Sequence, residues 1–107
     1  RQGFKTAYVG AVGPDCAGEL VKNTLKKEKV SLNFLKTVSR HTALSIIISL
    51  PKAGRSILEY LGASHYLRKK DIPFSKISAK WFYVGALSGP SSKVFPEVIN
   101  YAKKKKI

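Results

Sequence analysis

The sequence contains no methionine and only one cysteine, Cys16. A single cysteine excludes an intrachain disulfide and a zinc site built from several thiolates, and it is typical of a reducing compartment, so we expect a cytoplasmic protein. No apolar run approaches the ~20 residues that cross a membrane, and no signal-peptide pattern follows the N-terminus. Because no methionine is available to start translation, we expect the chain to be an internal piece of a longer protein.

Acidic residues are scarce, with six Asp and Glu against 20 Lys and Arg, which gives a net charge of +14. They form no pair of the kind that performs acid–base chemistry. The basic excess indicates either a surface that binds nucleic acid or another polyanion, or a lysine-rich surface on an ordinary enzyme. The hydrophobic fraction of 44% is that of globular material, and 107 residues suffice for one domain over residues 1–107.

An apolar run, a glycine corner and the first turn of a helix follow one another near the start of the chain. Residues 6–12 are rich in β-branched side chains and predict a buried strand. Gly10 and Gly13 allow close backbone approach, and Pro14 prevents the strand from continuing. Asp15 predicts the helix N-cap, and the apolar spacing predicts an amphipathic helix over residues 17–29. A strand, corner and helix in this order indicate a βαβ unit.

A β-hairpin is the strongest prediction in the middle of the chain. After a short strand over residues 33–38, residues 42–50 and 55–61 predict two strands joined by a turn at Pro51–Gly54. The first strand has a small, partly polar face with Ala43 and Ser45, and its other face is strongly apolar. Such a hairpin suits either a ligand-covering lid or a plain β-sandwich, and both interpretations remain open.

The second half of the chain predicts fewer regular elements. Residues 65–74 predict irregular structure, residues 80–86 an apolar strand, and the C-terminal stretch a helix ending near Lys105. The whole order predicts an α/β fold, with parallel-type sheet strands, helices and an added antiparallel hairpin.

No convincing catalytic constellation or metal site is present in the sequence. His41 and His65 are 24 residues apart without a carboxylate at ligand spacing, so we interpret both as ordinary histidines. Cys16 starts a helix, where a thiol pKa can fall, but no histidine partner is evident and we predict a buried structural residue. Residues 85–93 join a strand to a helix as a P-loop does, yet they lack its Gly-Lys-Ser/Thr, so we reject a nucleotide site there.

Five short motifs occur in a characteristic order along the chain. They are Val9-Gly10-Ala11-Val12-Gly13-Pro14-Asp15 with Gly18, Thr42-Ala43, Gly54-Arg55, Gly62-Ala63-Ser64 with Leu67 and Asp71-Ile72, and the strand from Lys80 to Gly85. In this order and spacing they resemble the ribokinase-like carbohydrate kinase family, also called the PfkB family, over nearly the whole chain. The resemblance implies a partial ribokinase-like fold, with Gly10, Gly13, Asp15 and Gly18 as its structural corner.

The resemblance also implies ATP-dependent transfer of a γ-phosphate to a hydroxyl of a sugar or nucleoside, with Mg²⁺. The family's Gly-Ala-Gly-Asp motif and its upstream Gly-Gly-x-x-x-Asn motif are absent from this sequence. We therefore expect this piece to contain no catalytic residue, to bind no ATP or Mg²⁺ by itself and to be inactive alone. The resemblance further implies that the hairpin over residues 42–61 is the lid that covers the acceptor.

Four lid residues correspond to substrate-facing positions of the family: Ala43, Ser45, Leu58 and Tyr60. Tyr60 replaces the arginine of ketodeoxygluconate kinases, which argues against an acidic sugar. The alternative, in which these residues only pack the lid or a homodimer seam, stays open. Two other functions also remain open, a small basic nucleic-acid-binding domain and a β-sheet interaction module without catalysis.

Overall fold

The structure of the protein, a computed structural model, describes residues 3–107 and has a mixed α/β fold. The regular elements are β1 (Ala7–Val12), α1 (Cys16–Lys27), β2 (Ser31–Thr37), β3 (Leu44–Leu50), β4 (Gly54–Tyr60) and α2 (Phe95–Lys105). Short 3₁₀ segments cover Gly62–Tyr66, Lys69–Asp71, Phe74–Lys76 and Gly89–Val94. The predicted α/β class, with a parallel sheet and an antiparallel pair, is confirmed.

The predicted βαβ unit forms from β1, α1 and β2. β1 and β2 pair in parallel, with Gly10 opposite Leu35 and Val12 opposite Thr37. Helix α1 ends where Lys29 takes a left-handed backbone conformation with φ of +55°, and Ser31 N–H then donates to the carbonyl of Thr6. Cys16 is exposed on the first turn of α1, so the prediction that it is buried is wrong; Gly18 is the buried residue of this helix.

The predicted hairpin is formed by β3 and β4, which pair antiparallel with Ile47 opposite Ile57. We call residues Leu44–Tyr60 the lid hairpin. All of its side chains are exposed, so it projects from the rest of the chain. The radius of gyration is 15.4 Å, compared with about 13 Å for a compact domain of this length.

The predicted strand over residues 80–86 is not observed. Within residues 3–107 this segment forms no ladder with another strand, although it contains the apolar sequence Trp-Phe-Tyr-Val. Trp81 is 87% exposed and Tyr83 is 96% exposed. The prediction fails because β-propensity reflects packing on a pleated surface beside neighbouring strands, and this run has no such neighbour here.

The body beneath the lid hairpin is held by a small core and a few tertiary hydrogen bonds. Its buried apolar side chains are Val12, Ala63, Leu67, Ile72 and Val94. The Tyr101 hydroxyl of α2 donates to the carbonyl oxygens of Phe74 at 2.8 Å and Ile77 at 3.2 Å. Helix α2 follows a 3₁₀ segment, and Pro96 lies in its first turn, where a missing N–H leaves no bond unmade.

Candidate functional site

The base of the lid hairpin is bound to the glycine corner by the side chain of Asp15. Asp15 Oδ1 caps α1 by accepting from Gly18 N–H at 2.8 Å. The same carboxylate accepts from the Thr42 hydroxyl at 2.6 Å and from Thr42 N–H at 2.7 Å. The Thr42 hydroxyl in turn accepts from Gly13 N–H at 2.9 Å. Asp15 and Thr42 therefore join the β1–α1 corner to the start of β3, and we call them the hinge pair.

These hydrogen bonds determine the electrostatics of the hinge pair. The Thr42 hydroxyl, followed by the backbone N–H groups of Thr42 and Gly18, holds the pKa of Asp15 well below its usual range. His41 Nδ1 lies 3.3 Å from Asp15 Oδ2, and the side chain of His41 is 83% exposed. Asp15 is thus an ionised structural carboxylate whose oxygens are occupied by donors of this chain.

Close backbone contacts around the hinge require glycine. A Cβ at Gly13 would overlap the carbonyl oxygen of Arg40 and lie 2.8 Å from Thr42 N. A Cβ at Gly18 would overlap the carbonyl oxygen of Gly13 and lie 2.9 Å from Thr42 Oγ1. The two predicted corner glycines therefore let the corner and the chain before β3 pack directly together.

The segment that follows β4 packs against the chain just before Thr42 of the hinge pair. Gly62 has φ of +37°, and a Cβ there would overlap the carbonyl oxygen of His41. That carbonyl accepts from Ala63 N–H at 2.8 Å, so the chain segments that enter and leave the lid hairpin are in contact beside the hinge pair. Gly10 is also buried, but its close neighbour is the ring of Tyr8, and it lies within β1 rather than at the hinge.

The hinge lies at the carboxyl ends of β1 and β2, because Gly13 and Asp15 directly follow β1. An open groove of about 720 Å³ lies at the same edge, and Pro14, Asp15, Leu20 and Thr37 contribute to its lining. In open α/β sheets, ligands bind outside the carboxyl ends of the strands. The lid hairpin therefore starts from the edge of the sheet where a ligand is expected.

The four predicted lid residues fall on two different faces of the hairpin. Opposite residues of an antiparallel ladder point to the same face. Leu58 is opposite Ile46 and Tyr60 is opposite Leu44, so both belong to the apolar face. Ser45 is opposite Glu59, and Ala43 lies two residues before Ser45 on that second face. The structure thus separates Ala43 and Ser45 from Leu58 and Tyr60.

The two faces have different chemistry. We define the apolar face by Leu44, Ile46, Ile48, Leu50, Leu58 and Tyr60, which are 49% to 61% exposed. We define the polar face by Ala43, Ser45, Ser49, Arg55 and Glu59, together with Ile47 and Ile57. The register identifies Glu59 as a polar-face residue, which sequence reasoning missed because residues of β4 can be assigned to a face only once their partners in β3 are known.

The acidic and histidine side chains of the described residues do not gather into a metal site. Within residues 3–107, no three His, Cys, Asp or Glu side chains are grouped so that they could hold a metal ion. Asp15 is occupied by the hinge, and Asp71 accepts from Lys36 Nζ at 2.6 Å. Burial acts to raise the pKa of Asp71, but Lys36 and the Arg68 N–H outweigh it and the pKa is lowered. His65 lies apart, with Nε2 3.3 Å from Ser88 Oγ.

Comparisons with known proteins agree with this architecture. The profile of the pfkB family carbohydrate kinases matches residues 1–106. The aminoimidazole riboside kinase of Salmonella typhimurium is 27% identical over 90 residues, which cover 81% of this chain and 28% of that relative. The chain thus spans less than a third of the length of this curated relative.

Two solved structures share the fold over almost the whole chain. The 2-dehydro-3-deoxygluconokinase of Thermotoga maritima superposes with a TM-score of 0.81 at 15% identity, covering 98% of this chain and 35% of that one. The fructokinase of Halothermothrix orenii superposes with a TM-score of 0.77 at 23% identity, covering 99% and 39%. No helix within residues 3–107 is long and apolar enough to span a membrane. The match over residues 1–106 shows that this chain belongs to the pfkB family of carbohydrate kinases.

Proposed function

We propose that the chain is the acceptor-side part of an ATP-dependent kinase that transfers a γ-phosphate to a hydroxyl of a sugar or nucleoside. The observation that carries the proposal is the lid hairpin, held by the hinge pair at the carboxyl edge of the parallel sheet. A kinase must keep water away from the transferred phosphate, because water competes with the acceptor hydroxyl. A projecting hairpin with a fixed base is suited to this task.

We assign the polar face to the acceptor. A hydroxylated molecule needs hydrogen-bond partners when it leaves water, and an apolar face would leave its hydroxyls unpaired. Ser45 and Glu59 are opposite each other near the base of the lid hairpin and offer a hydroxyl and a carboxylate. Leu58 and Tyr60 are assigned to the apolar face, so this proposal keeps Ala43 and Ser45 as acceptor-side residues and adds Glu59.

The charge of Glu59 also determines which substrates the polar face can bind. Its carboxylate can accept from two hydroxyls of a neutral sugar or nucleoside, whereas an acidic sugar would bring a second negative charge towards it. Like charges in a closed, poorly hydrated site repel each other strongly. The proposed acceptor is therefore neutral. The ATP and Mg²⁺ of this reaction are assigned to parts of the kinase outside this chain, because the family's Gly-Ala-Gly-Asp motif is absent from this sequence and no described group of three ligands could hold a metal ion.

The test is an ADP-release assay on the complete protein that carries this chain, with ATP, Mg²⁺ and a panel of neutral sugars, nucleosides and one acidic sugar. We expect turnover with a neutral acceptor. Glu59→Gln should raise the acceptor KM about tenfold, in line with the loss of a hydrogen bond to a charged group. Ser56→Ala, which alters the opposite face near the turn, should leave KM unchanged.

Each part of the proposal has its own contradicting outcome. Absence of turnover with every acceptor would contradict the kinase assignment. A larger KM effect from Tyr60→Phe than from Glu59→Gln would reverse the assignment of the faces. Phosphorylation by residues 1–107 alone would contradict the placement of the ATP site outside this chain.

The apolar face suggests a homodimer through the lid hairpin. It is a contiguous exposed patch of aliphatic side chains with one tyrosine, of the kind that marks protein interfaces. Two copies pairing these faces would bury them while leaving the polar faces free for acceptor. Ile46→Glu should therefore convert a dimer of the complete protein into a monomer in analytical ultracentrifugation, and a monomeric parent protein would contradict this proposal.

We further propose a cytoplasmic location, which accords with the single cysteine.

A further inference from the structure

Four lysines come together at the amino ends of β1 and β2. Lys26 and Lys27 end α1, Lys29 lies in the following turn, and Lys5 lies two residues before β1. The turn is closed by Lys29 N–H donating to the carbonyl of Lys26, and Ser31 N–H donates to the carbonyl of Thr6, next to Lys5. The parallel pairing begins with Ala7 opposite Ser31, so Lys5, two residues before β1, lies at the same end of the sheet as the turn that contains Lys29. We call Lys5, Lys26, Lys27 and Lys29 the basic edge.

The charge of the basic edge is largely uncompensated. All four lysines are exposed, and none forms an ion pair with a described acidic side chain. Glu28 is the acidic residue of the same turn. Glu19 lies in the first turn of α1, about 10 Å along the helix from Lys26, and Lys26 contributes weakly to lowering the pKa of Glu19. The C-terminal end of the α1 dipole attracts cations and offsets part of their mutual repulsion. A net positive cluster of this kind attracts anionic molecules.

An exposed aromatic residue directly precedes Lys5 in the sequence. Phe4, the neighbour of Lys5, is 70% exposed. Single-stranded nucleic acids are bound by lysines that neutralise phosphates and by aromatic rings on which bases stack. A membrane surface would require a broad apolar area beside the lysines, and one phenylalanine supplies little. The combination of four lysines and one ring therefore favours single-stranded nucleic acid over a lipid surface.

We propose that the basic edge and Phe4 bind single-stranded nucleic acid through its phosphates and one stacked base. The six residues of β1 separate this edge from the hinge pair by about 20 Å. The two sites are on opposite edges of the sheet, so the proposal does not depend on the kinase function. With four phosphates neutralised, the logarithm of the binding constant falls with a slope of about −2.8 against the logarithm of salt concentration. Raising salt from 50 to 200 mM then weakens binding roughly 50-fold.

The test is fluorescence anisotropy of a labelled 20-nucleotide oligouridine with the complete protein that carries this chain, over a salt series. The edge variant changes Lys5, Lys26, Lys27 and Lys29 to Gln. The matched control changes Lys103, Lys104, Lys105 and Lys106 to Gln, so that the formal charge of the chain falls from +14 to +10 in both variants. We expect the edge variant to lose most of the salt slope and the control to keep it within about one unit.

Phe4→Ala provides a second variant that leaves every charge and β1 in place. It should weaken binding about tenfold without changing the salt slope, as expected for the loss of one stacked base. Tyr83→Ala removes a ring that is 96% exposed elsewhere, and it should have no effect. Equal loss of slope in the edge and tail variants, absence of binding at 20 mM salt, or binding to phosphatidylserine vesicles but not to oligouridine would each overturn the proposal.

Discussion

Replacing Thr42 with Val tests the hinge pair directly, because valine keeps the shape of threonine and removes only the hydroxyl. Thr42 is 7% exposed. Its hydroxyl donates to Asp15 at 2.6 Å and accepts from the buried N–H of Gly13 at 2.9 Å. An unpaired buried donor costs about 1–3 kcal/mol, and a lost bond to a charged group about 1.5–3 kcal/mol. Because one hydroxyl makes both bonds, we expect Thr42→Val to lower the free energy of unfolding by about 3 kcal/mol, or roughly 150-fold in the folding equilibrium.

Urea unfolding followed by circular dichroism measures this loss. With a slope of about 2 kcal/mol per molar urea, the midpoint should fall by about 1.5 M. The matched control is Thr42→Ser, which keeps the hydroxyl and loses one methyl group, for about 1 kcal/mol. A Thr42→Val midpoint equal to that of the parent protein, or higher than that of Thr42→Ser, would refute the hinge reasoning.

Two further predictions concern the hinge glycine and acid. Gly62→Ala should destabilise the protein by well over the roughly 1 kcal/mol that positive φ alone costs, because the new Cβ overlaps the carbonyl of His41. Gly54→Ala is its control, since Gly54 has φ of +82° with open space around it, and equal midpoint losses in urea would contradict the steric argument. The lowered pKa of Asp15 makes its ionised form stabilising above the unfolded value of about 4, and that contribution is lost as the pH falls below it. Asp15→Asn should therefore flatten the acid side of the stability profile measured by thermal unfolding, and an unchanged acid side would contradict this assignment.

Local sequence signals identified the elements whose partners are close along the chain. The β1–α1–β2 unit and the lid hairpin were predicted from a glycine corner, an N-cap and a Pro-Gly turn, each of which acts within a few residues. Residues 80–86 were predicted as a strand by the same reasoning, and this was wrong. A strand needs a ladder partner, and β-propensity in the sequence carries no information about whether such a partner is near.

Among the predicted site residues, too, short-range features were predicted correctly and contacts between distant segments were not. Asp15 was predicted as a helix cap, and the structure confirms this role through Gly18 N–H. Its bonds to Thr42 were not predictable, because 27 residues separate the two and nothing in either segment refers to the other. The lack of a histidine partner predicts a buried structural role for Cys16, yet its place on the outer side of the first turn exposes it.

The amino-acid sequence by itself determined the family, the α/β class, the helix cap and the position of the hairpin turn, because these depend on residue type and short-range spacing. Tertiary structure alone decided that Asp15 holds Thr42, that Ser45 shares a face with Glu59 rather than with Leu58, and that Lys5 lies at the same end of the sheet as Lys29. The physical reason is that strand register and long-range hydrogen bonds arise from how distant segments pack, and one residue of register shift moves every side chain of a strand to the other face.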